Sequence, residues 1–335
     1  MKLSREQYKD LYCKMVKTRV FEETAVRLFE ENIAQGTAHF CIGEEAAAVG
    51  VCSALEKEDM ITQTHRGHGQ AIGKGADVNR MMAELLGKET GCCRGMGGSM
   101  HIADFSTGSL GANGIVGAGI PIAVGAALAQ KYFKRPNITV CFFGDGAANE
   151  GAFHESLNLA SVWQLPVLFV CTNNFYGIST HISRSMHIDD ISVRASSYGI
   201  EGVNLDGNDV IAVFEETVKA RKKVLEKGPM FMVLTTYRWL GHSRSDAQVY
   251  RTTEEVDRWK EKCPIKHCRE RLLSEAVFTP AELDAFEKQV CDEVAAAAVF
   301  AETSPEISSA GVFQDVYAPG DIRDAKPKNG FVVCR

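Results

Sequence analysis

Residues 138–151 read ITVCFFGDGAANEG, and residues 166–178 read PVLFVCTNNFYGI. Each stretch begins with a short continuous apolar run, which is typical of a strand buried on both faces of a parallel sheet. The first run ends in Gly144-Asp145-Gly146, and the second ends in Asn173-Asn174. The residues between the two motifs are enough for one helix and one returning strand. The two stretches therefore predict consecutive parallel strands of an α/β fold.

The rest of the chain extends this pattern. A helical pattern at about 208–227 precedes a third apolar run at 230–234. Strands that alternate with helices indicate a mostly parallel central sheet flanked by helices, with right-handed crossovers. We expect a single α/β domain over residues 1–318, followed by an irregular tail at 319–335.

Helical extensions are predicted at both ends of the domain. The N-terminal helix should span about 4–34, with Ser4 and Gln7 as a capping box and Gly36 at its end. The C-terminal helical region should span about 252–302.

Two further helices are predicted near the Gly-rich segments. One begins after Gly43, where Glu44 and Glu45 are interpreted as helix-capping residues that complement the helix dipole. The apolar stretch 114–129, rich in Gly and Ala, is short for a membrane span and is interpreted as a buried core helix.

Composition excludes several functional classes. The 335 residues are 45% hydrophobic and carry a formal net charge of −6, which argues against a nucleic acid or an anionic membrane as partner. The eleven cysteines form no C-x-x-C pair and are interpreted as small core residues in a reduced cytosol. The N-terminus shows no targeting segment, so a cytoplasmic location is expected.

The polar strand ends suit one kind of ligand. Ligands bind beyond the carboxyl ends of strands in open parallel sheets. Asp145 offers a carboxylate oxygen and Asn174 an amide oxygen, which are ligands that Mg²⁺ accepts. A helix is expected after Gly146, at about 150–163, and it would direct its N–H groups at an anion. We therefore predict a diphosphate bound through Mg²⁺. Neither G-x-G-x-x-G nor G-x-x-x-x-G-K-[ST] occurs, so an NAD-dependent Rossmann dehydrogenase is a distant alternative.

The same residues resemble a known family. G-D-G followed by N-N is the thiamine diphosphate fingerprint, and its surroundings are similar to the E1α subunits of 2-oxo acid dehydrogenase complexes. Segments 97–101 (GGSMH) and 237–243 (YRWLGHS) are similar to the same family. The resemblance covers about residues 5–320. It implies the diphosphate-binding domain of the thiamine diphosphate-binding fold.

The resemblance also implies a set of cofactor contacts. By matching positions, Mg²⁺ is held by Asp145, the side chain of Asn174 and the backbone carbonyl of Tyr176. The diphosphate is contacted by Arg66, Gly146, Ala147 and His242. Gly114 and Val116 match residues that lie against the thiamine rings.

Three histidines and one serine are further candidates. His242 matches a histidine on a mobile loop, and His39 matches one near the substrate, so both are expected to titrate near neutral pH and to move protons. His65 departs from the tyrosine of animal pyruvate enzymes but is kept as a catalytic candidate. Ser243 matches a serine phosphorylated in mitochondrial relatives and is interpreted here as an unmodified loop serine.

The resemblance implies an incomplete active site. In the family, a glutamate that activates the cofactor lies in a separate β subunit, so an α₂β₂ heterotetramer is expected, with a lipoyl-bearing E2 acyltransferase as further partner. The cofactor ylid would attack the substrate carbonyl, and C–C cleavage would release an acetyl unit for lipoyl transfer. Acetoin is narrowly favoured as substrate over pyruvate, and branched-chain 2-oxo acids come third. A non-catalytic scaffold remains an alternative.

Overall fold

The centre of the protein is a six-stranded parallel sheet. In the computed structural model, which describes residues 3–308, the strand order is β2-β1-β3-β4-β8-β7, and every neighbouring pair is parallel. The strands are β1 (Met60–Thr64), β2 (Ser109–Asn113), β3 (Thr139–Gly144), β4 (Val167–Asn173), β7 (Glu201–Asp206) and β8 (Met230–Thr235), with a separate hairpin of β5 (Tyr176–Gly177) and β6 (Thr180–His181). The predicted mostly parallel sheet is confirmed.

Ten α-helices occur among residues 3–308. They are α1 (Arg5–Glu30), α2 (Glu45–Ser53), α3 (His68–Lys74), α4 (Val78–Leu85), α5 (Gly119–Tyr132), α6 (Gly151–Val162), α7 (Val210–Lys227), α8 (Thr253–Glu261), α9 (Pro264–Ser274) and α10 (Pro280–Thr303). Short 3₁₀ turns, such as Gly146–Asn149, join several of these elements.

Helices cover both faces of the sheet. On one face, α5 and α6 pack over the strands through residues such as Phe153, which contacts Phe143 and Phe231. On the other face, α2 and α7 cover Val140 and Phe142. Because β3 and β4 are central and buried on both faces, they need a continuous apolar sequence. The three-layer arrangement fixes the carboxyl ends of these strands in place.

The N-terminal helix starts as predicted but ends earlier. Ser4 and Gln7 form the expected capping box. The helix ends at Glu30, so the predicted end at 34 and the role of Gly36 as terminator are wrong. Asn32 adopts a left-handed conformation with φ 59°, and the amides of residues 33 and 34 turn back to the Leu28 carbonyl. Asparagine tolerates this conformation and so substitutes for glycine in ending the helix.

The interpretation of 114–129 as a buried core helix is wrong in part. The helix is α5, which begins at Gly119, and only its sheet-facing side is buried. Its outer side and that of α6 expose large apolar side chains. We call this surface the α5–α6 face; its exposed residues include Ile122, Leu128, Tyr132, Leu159, Val162 and Trp163. Exposed apolar residues are grouped on this face, which is uncommon on the surface of a monomeric protein.

A buried carboxylate organises the Gly-rich loop after α4. Both oxygens of Glu84 accept backbone N–H bonds, four in all, from Cys93, Gly95, Gly97 and Gly98. The loop then leads to Ser99, whose hydroxyl bonds His68, which in turn bonds Glu22. This network holds the loop against the body of the domain.

Residues 3–308 contain no helix long and apolar enough to cross a membrane. The cysteines of this part of the chain are free thiols. The predicted C-terminal helical region is confirmed as α8, α9 and α10. The tail predicted at 319–335 lies outside the described residues.

Candidate functional site

A cavity of about 280 Å³ lies at the carboxyl ends of the central strands. It is lined by residues at or just beyond the ends of four strands: His65 and Arg66 after β1, Val116 three residues after β2, Asp145 after β3, and Asn174 after β4. Further lining residues include Glu44, Gly146, Ala147, Tyr176, Arg238 and His242. The fold therefore gathers most of the predicted site residues around one opening, which is where an open parallel sheet binds its ligands.

The three predicted metal-binding groups lie together and are buried. Asp145, Asn174 and Tyr176 all line the cavity, and each is less than a tenth exposed. The Asn174 amide nitrogen donates to a Glu44 carboxylate oxygen at 2.6 Å, which orients the amide oxygen away from Glu44. The Tyr176 carbonyl accepts a 2.9 Å hydrogen bond from Arg238, so one of its two lone pairs is already used.

The electrostatics of Asp145 fit a bound cation. Burial raises the pKa of this carboxyl from its ordinary value of 3.8 to about 6, against the lowering effect of backbone hydrogen bonds. A buried carboxylate without a cationic partner is costly in free energy. A divalent cation in contact with Asp145 would offset this cost, and the donor set of carboxylate, amide and carbonyl oxygens is the one that Mg²⁺ prefers. The residues present therefore fit the predicted ion.

A short turn separates Gly146 from the helix predicted after it. A 3₁₀ turn spans Gly146–Asn149, and α6 begins only at Gly151, because Glu150 is extended with ψ 146°. The helix predicted at about 150–163 is confirmed as α6, and Gly146 and Ala147 line the cavity. A Cβ on Gly146 would lie 3.5 Å from the Cα of Gly177, so the two turns approach closely.

Arg66 is a buried cation at the cavity wall. Its guanidinium donates to the backbone carbonyls of Phe40 and His242 and lies 4.0 Å from Glu44. Burial lowers the pKa of Arg66 and raises that of Glu44. Keeping both groups charged inside the protein therefore costs free energy. An anion in the cavity would add a favourable partner for the guanidinium.

The three candidate histidines form one cluster. The ring centroids of His39 and His65 are 4.5 Å apart, those of His39 and His242 4.8 Å, and those of His65 and His242 5.3 Å. His65 and His242 line the cavity, whereas His39 lies behind them and is not a lining residue.

The expectation that His39 and His242 titrate near neutral pH is wrong. Burial, reinforced by the positive charge of Arg66, lowers the pKa of His39 to about 3 and that of His242 to about 4. The same causes lower the pKa of His65 to about 2. All three imidazoles are therefore neutral at neutral pH, each with one N–H donor and one acceptor nitrogen.

Of the two residues predicted to contact the thiamine rings, only one lines the cavity. Val116 lines the cavity, with half of its side chain exposed. Gly114 is not a lining residue, and a Cβ at this position would lie 3.3 Å from the His101 ring. Ser243 lies on an exposed loop next to Ser245, with which its hydroxyl makes a 3.3 Å contact.

Comparison with protein-family models matches residues 13–309 to the dehydrogenase E1 component. The chain belongs to this family. E1 dehydrogenase components are thiamine diphosphate-dependent oxidoreductases, and the family predicted from the sequence is confirmed.

Relatives of this E1 chain are named either as acetoin oxidoreductase α subunits or as pyruvate dehydrogenase E1 α subunits. It is 45% identical over 319 residues to the acetoin:2,6-dichlorophenolindophenol oxidoreductase α subunit of Bacillus subtilis, covering 95% of each chain. It is 41% identical to the protein of the same name in Cupriavidus necator, over 94% of this chain and 95% of the other. It is 36% identical to the pyruvate dehydrogenase E1 component α subunit of Rickettsia felis, over 94% and 97%.

Sequence reasoning missed two residues of this E1 site. Glu44 precedes α2 but makes no side-chain capping bond, so its interpretation as a helix cap is wrong; it holds the amide of Asn174 instead. Arg238 is fully buried and donates to the carbonyls of Tyr176 and Ile178. Arg238 could have been found because it lies in a motif that the sequence shows. Glu44 could not, because its contact with Asn174 joins residues far apart in the chain.

Proposed function

We propose that this chain is the α subunit of an E1 component that binds the diphosphate end of thiamine diphosphate together with Mg²⁺. The observation that carries the proposal is the buried set of oxygen donors from Asp145, Asn174 and Tyr176, with Arg66 at the wall of the same cavity. A metal-bound diphosphate needs this combination of oxygen ligands and a nearby cation.

Each group has a distinct task in this proposal. Asp145, Asn174 and the Tyr176 carbonyl hold the cation, while Glu44 fixes the orientation of the Asn174 amide. Arg66 pairs with the diphosphate charge. Arg238 fixes the turn that presents the Tyr176 carbonyl. The bound cofactor supplies the nucleophilic carbon that adds to the substrate carbonyl and carries the acetyl unit.

The neutral histidines act on the substrate in this proposal. His65 and His242 line the cavity and present nitrogens that are uncharged at neutral pH. Neutral imidazoles donate and accept hydrogen bonds at a carbonyl or hydroxyl oxygen without bringing a net charge. His39 packs behind both rings and orients them.

We further propose acetoin as the substrate, narrowly ahead of pyruvate. The relatives named for acetoin are 45% and 41% identical, and the pyruvate dehydrogenase relative from Rickettsia felis is 36% identical. Acetoin is uncharged, which suits three neutral imidazoles. Arg66 is assigned to the diphosphate in this proposal, and Arg238 donates to the backbone carbonyls of Tyr176 and Ile178, so neither arginine is left for a substrate carboxylate.

A β subunit and a lipoyl-bearing E2 acyltransferase are the proposed partners. The α5–α6 face exposes large apolar side chains on helices that begin beside the cavity, which supports burial against a second chain in an α₂β₂ assembly. A partner there would also close the cavity around the half-exposed Val116.

Dye-coupled turnover of the assembled α and β chains tests the cofactor and the substrate together. We expect reduction of dichlorophenolindophenol with acetoin only when both thiamine diphosphate and Mg²⁺ are present, and a lower kcat/KM with pyruvate. Turnover without either cofactor would refute the cofactor assignment. A higher kcat/KM with pyruvate would refute only the substrate.

A matched pair of variants tests the metal site. Asn174→Ala removes an oxygen ligand and should raise the Mg²⁺ concentration needed for half-maximal activity at least about tenfold. Asn204→Ala changes an exposed asparagine on β7 and should leave that concentration unchanged. Equal Mg²⁺ requirements in the two variants would place the cation elsewhere.

A further inference from the structure

A nitrogen-rich cluster lies beside the oxygen donors of the cavity. One ring nitrogen from each of His39, His65 and His242 lies within 4.8 Å of the other two. The rings come from three separate segments: the loop before α2, the end of β1 and the loop after β8. Their convergence is therefore a product of the tertiary fold and not of a local sequence motif.

The spacing of the rings suits a tetrahedral metal ion. A Zn–N distance of about 2.0–2.1 Å places three imidazole nitrogens about 3.4 Å apart and their ring centroids about 5 Å apart. The observed centroid separations of 4.5, 4.8 and 5.3 Å are already close to this value. The nitrogens themselves lie within 4.8 Å of one another, so binding a metal ion requires them to approach by about 1 Å.

An orphaned buried atom points to a missing ligand. His39 is only 6% exposed, yet its Nδ1 has no hydrogen-bond partner. A buried polar atom without a partner costs free energy and calls for an explanation in the form of an ion, a water or a ligand. Because imidazole nitrogens that carry no proton are the form that binds metal, the low pKa values of the cluster support the same explanation.

Some charged groups near the histidine cluster oppose a bound cation, and others favour one. Arg66 and Arg238 oppose a cation at this position. Glu44, at 4.0 Å from Arg66, and Asp246, which accepts the backbone N–H of His242, offset part of their charge. The remaining positive charge repels any cation. Only an ion that forms strong coordination bonds to nitrogen would therefore bind here, and an ion held by charge alone would not.

We propose that His39, His65 and His242 form a binding site for a transition-metal dication of the Zn²⁺ class. The oxygen donors at Asp145, Asn174 and Tyr176 select Mg²⁺, whereas imidazoles select Zn²⁺, Co²⁺, Ni²⁺ or Cu²⁺. Because two of the three rings line the cavity, an ion bound there occupies the nitrogens that face the substrate. Occupation therefore inhibits turnover; this part rests on the proposed function, and the binding itself does not.

Metal binding by the full-length chain, without substrate or thiamine diphosphate, tests the site directly. Zn²⁺ is titrated against a chromophoric chelator in excess Mg²⁺, and we expect one Zn²⁺ per chain. His65→Gln and His39→Gln should each weaken binding at least about tenfold. His267→Gln, at an exposed position on α9, is the matched control and should bind as the wild type does.

The rival site in the described part of the chain is Glu84 with Cys92 and Cys93. Loss of binding in Cys93→Ser, with full binding in His65→Gln, would overturn the proposal. Cobalt gives a second readout on the wild-type chain, independent of how well any variant folds. Visible bands of a tetrahedral nitrogen-ligated ion are expected, and thiolate-to-metal charge-transfer absorption in their place would also overturn the proposal.

In the assembled enzyme, added Zn²⁺ should reduce turnover in the presence of saturating Mg²⁺, and a chelator should restore it. Full activity with Zn²⁺ bound would overturn the inhibitory role alone. An inactive assembly that still binds Zn²⁺ would instead refute the proposed function and leave the metal site standing.

Discussion

Replacement of Asp145 by asparagine should stabilise the empty protein while it abolishes the response to cofactor. Burial raises the pKa of Asp145 from 3.8 to about 6. For an acid whose folded pKa is raised, the folded state is penalised as pH rises from the unfolded pKa to the folded one, and the penalty is complete above the folded value. This rise in the pKa corresponds to about 3 kcal/mol of stability lost above about pH 6.

The asparagine variant removes this penalty but adds a smaller one. The asparagine amide keeps the shape of the carboxyl. Its NH₂ group needs hydrogen-bond acceptors, which a carboxylate does not, and burying this group without them costs about 1 kcal/mol of stability. The net gain in the free energy of unfolding should be about 2 kcal/mol at about pH 7.5. At about pH 4.5 the penalty on the wild type falls to about 1 kcal/mol, so the gain should disappear.

Thermal unfolding of the wild type, Asp145→Asn and Asp189→Asn at the two pH values measures the effect. Asp189 is exposed and serves as the control. Thiamine diphosphate with Mg²⁺ should raise the melting temperature of the wild type and the control, but not that of Asp145→Asn, because only proteins that bind ligand gain stability from it. An equal stability difference at both pH values would refute the pKa argument, and a cofactor-induced shift in Asp145→Asn would refute the metal assignment.

Three further substitutions test other parts of the structure. Glu84→Gln turns one acceptor oxygen into a donor that faces two backbone N–H groups, so limited proteolysis should cut the loop after α4 faster than in the wild type. Val162→Glu, at a side chain 68% exposed on the α5–α6 face, should keep the melting temperature of the free chain but weaken co-elution with the β chain. Gly43→Ala places a Cβ 2.4 Å from the Tyr237 carbonyl oxygen and should lower the free energy of unfolding by at least about 2 kcal/mol, whereas Gly36→Ala meets no atom within 4 Å and should cost less.

The centre of the fold was predictable because burial leaves a local record in the sequence. Strands β3, β4 and β8 are buried on both faces, so their apolar runs are continuous. The strands β1, β2 and β7 were missed because their sequences contain no such run. Strand β1 reads MITQT and is buried in its middle but polar, whereas β7 is an edge strand whose residues are largely exposed. Neither presents a continuous apolar run.

The candidate site was predictable where its residues end strands and not where they reach across the fold. Asp145 and Asn174 were identifiable because each follows a buried strand. The protonation state of His39 was mispredicted because it depends on burial and on the charge of Arg66, which the sequence around His39 does not contain. The role of Glu44 is set by its contact with Asn174, which no periodicity records.

The α5–α6 face bears on how a cell produces this protein. A newly synthesised chain exposes Tyr132, Val162 and Trp163 until something covers them, and apolar surface left uncovered promotes self-association. Under the proposed assembly, synthesis of this chain in excess of its β partner would leave unassembled copies for chaperones and proteases. Matched production of the two chains would then set the yield of working enzyme more than the intrinsic stability of either one.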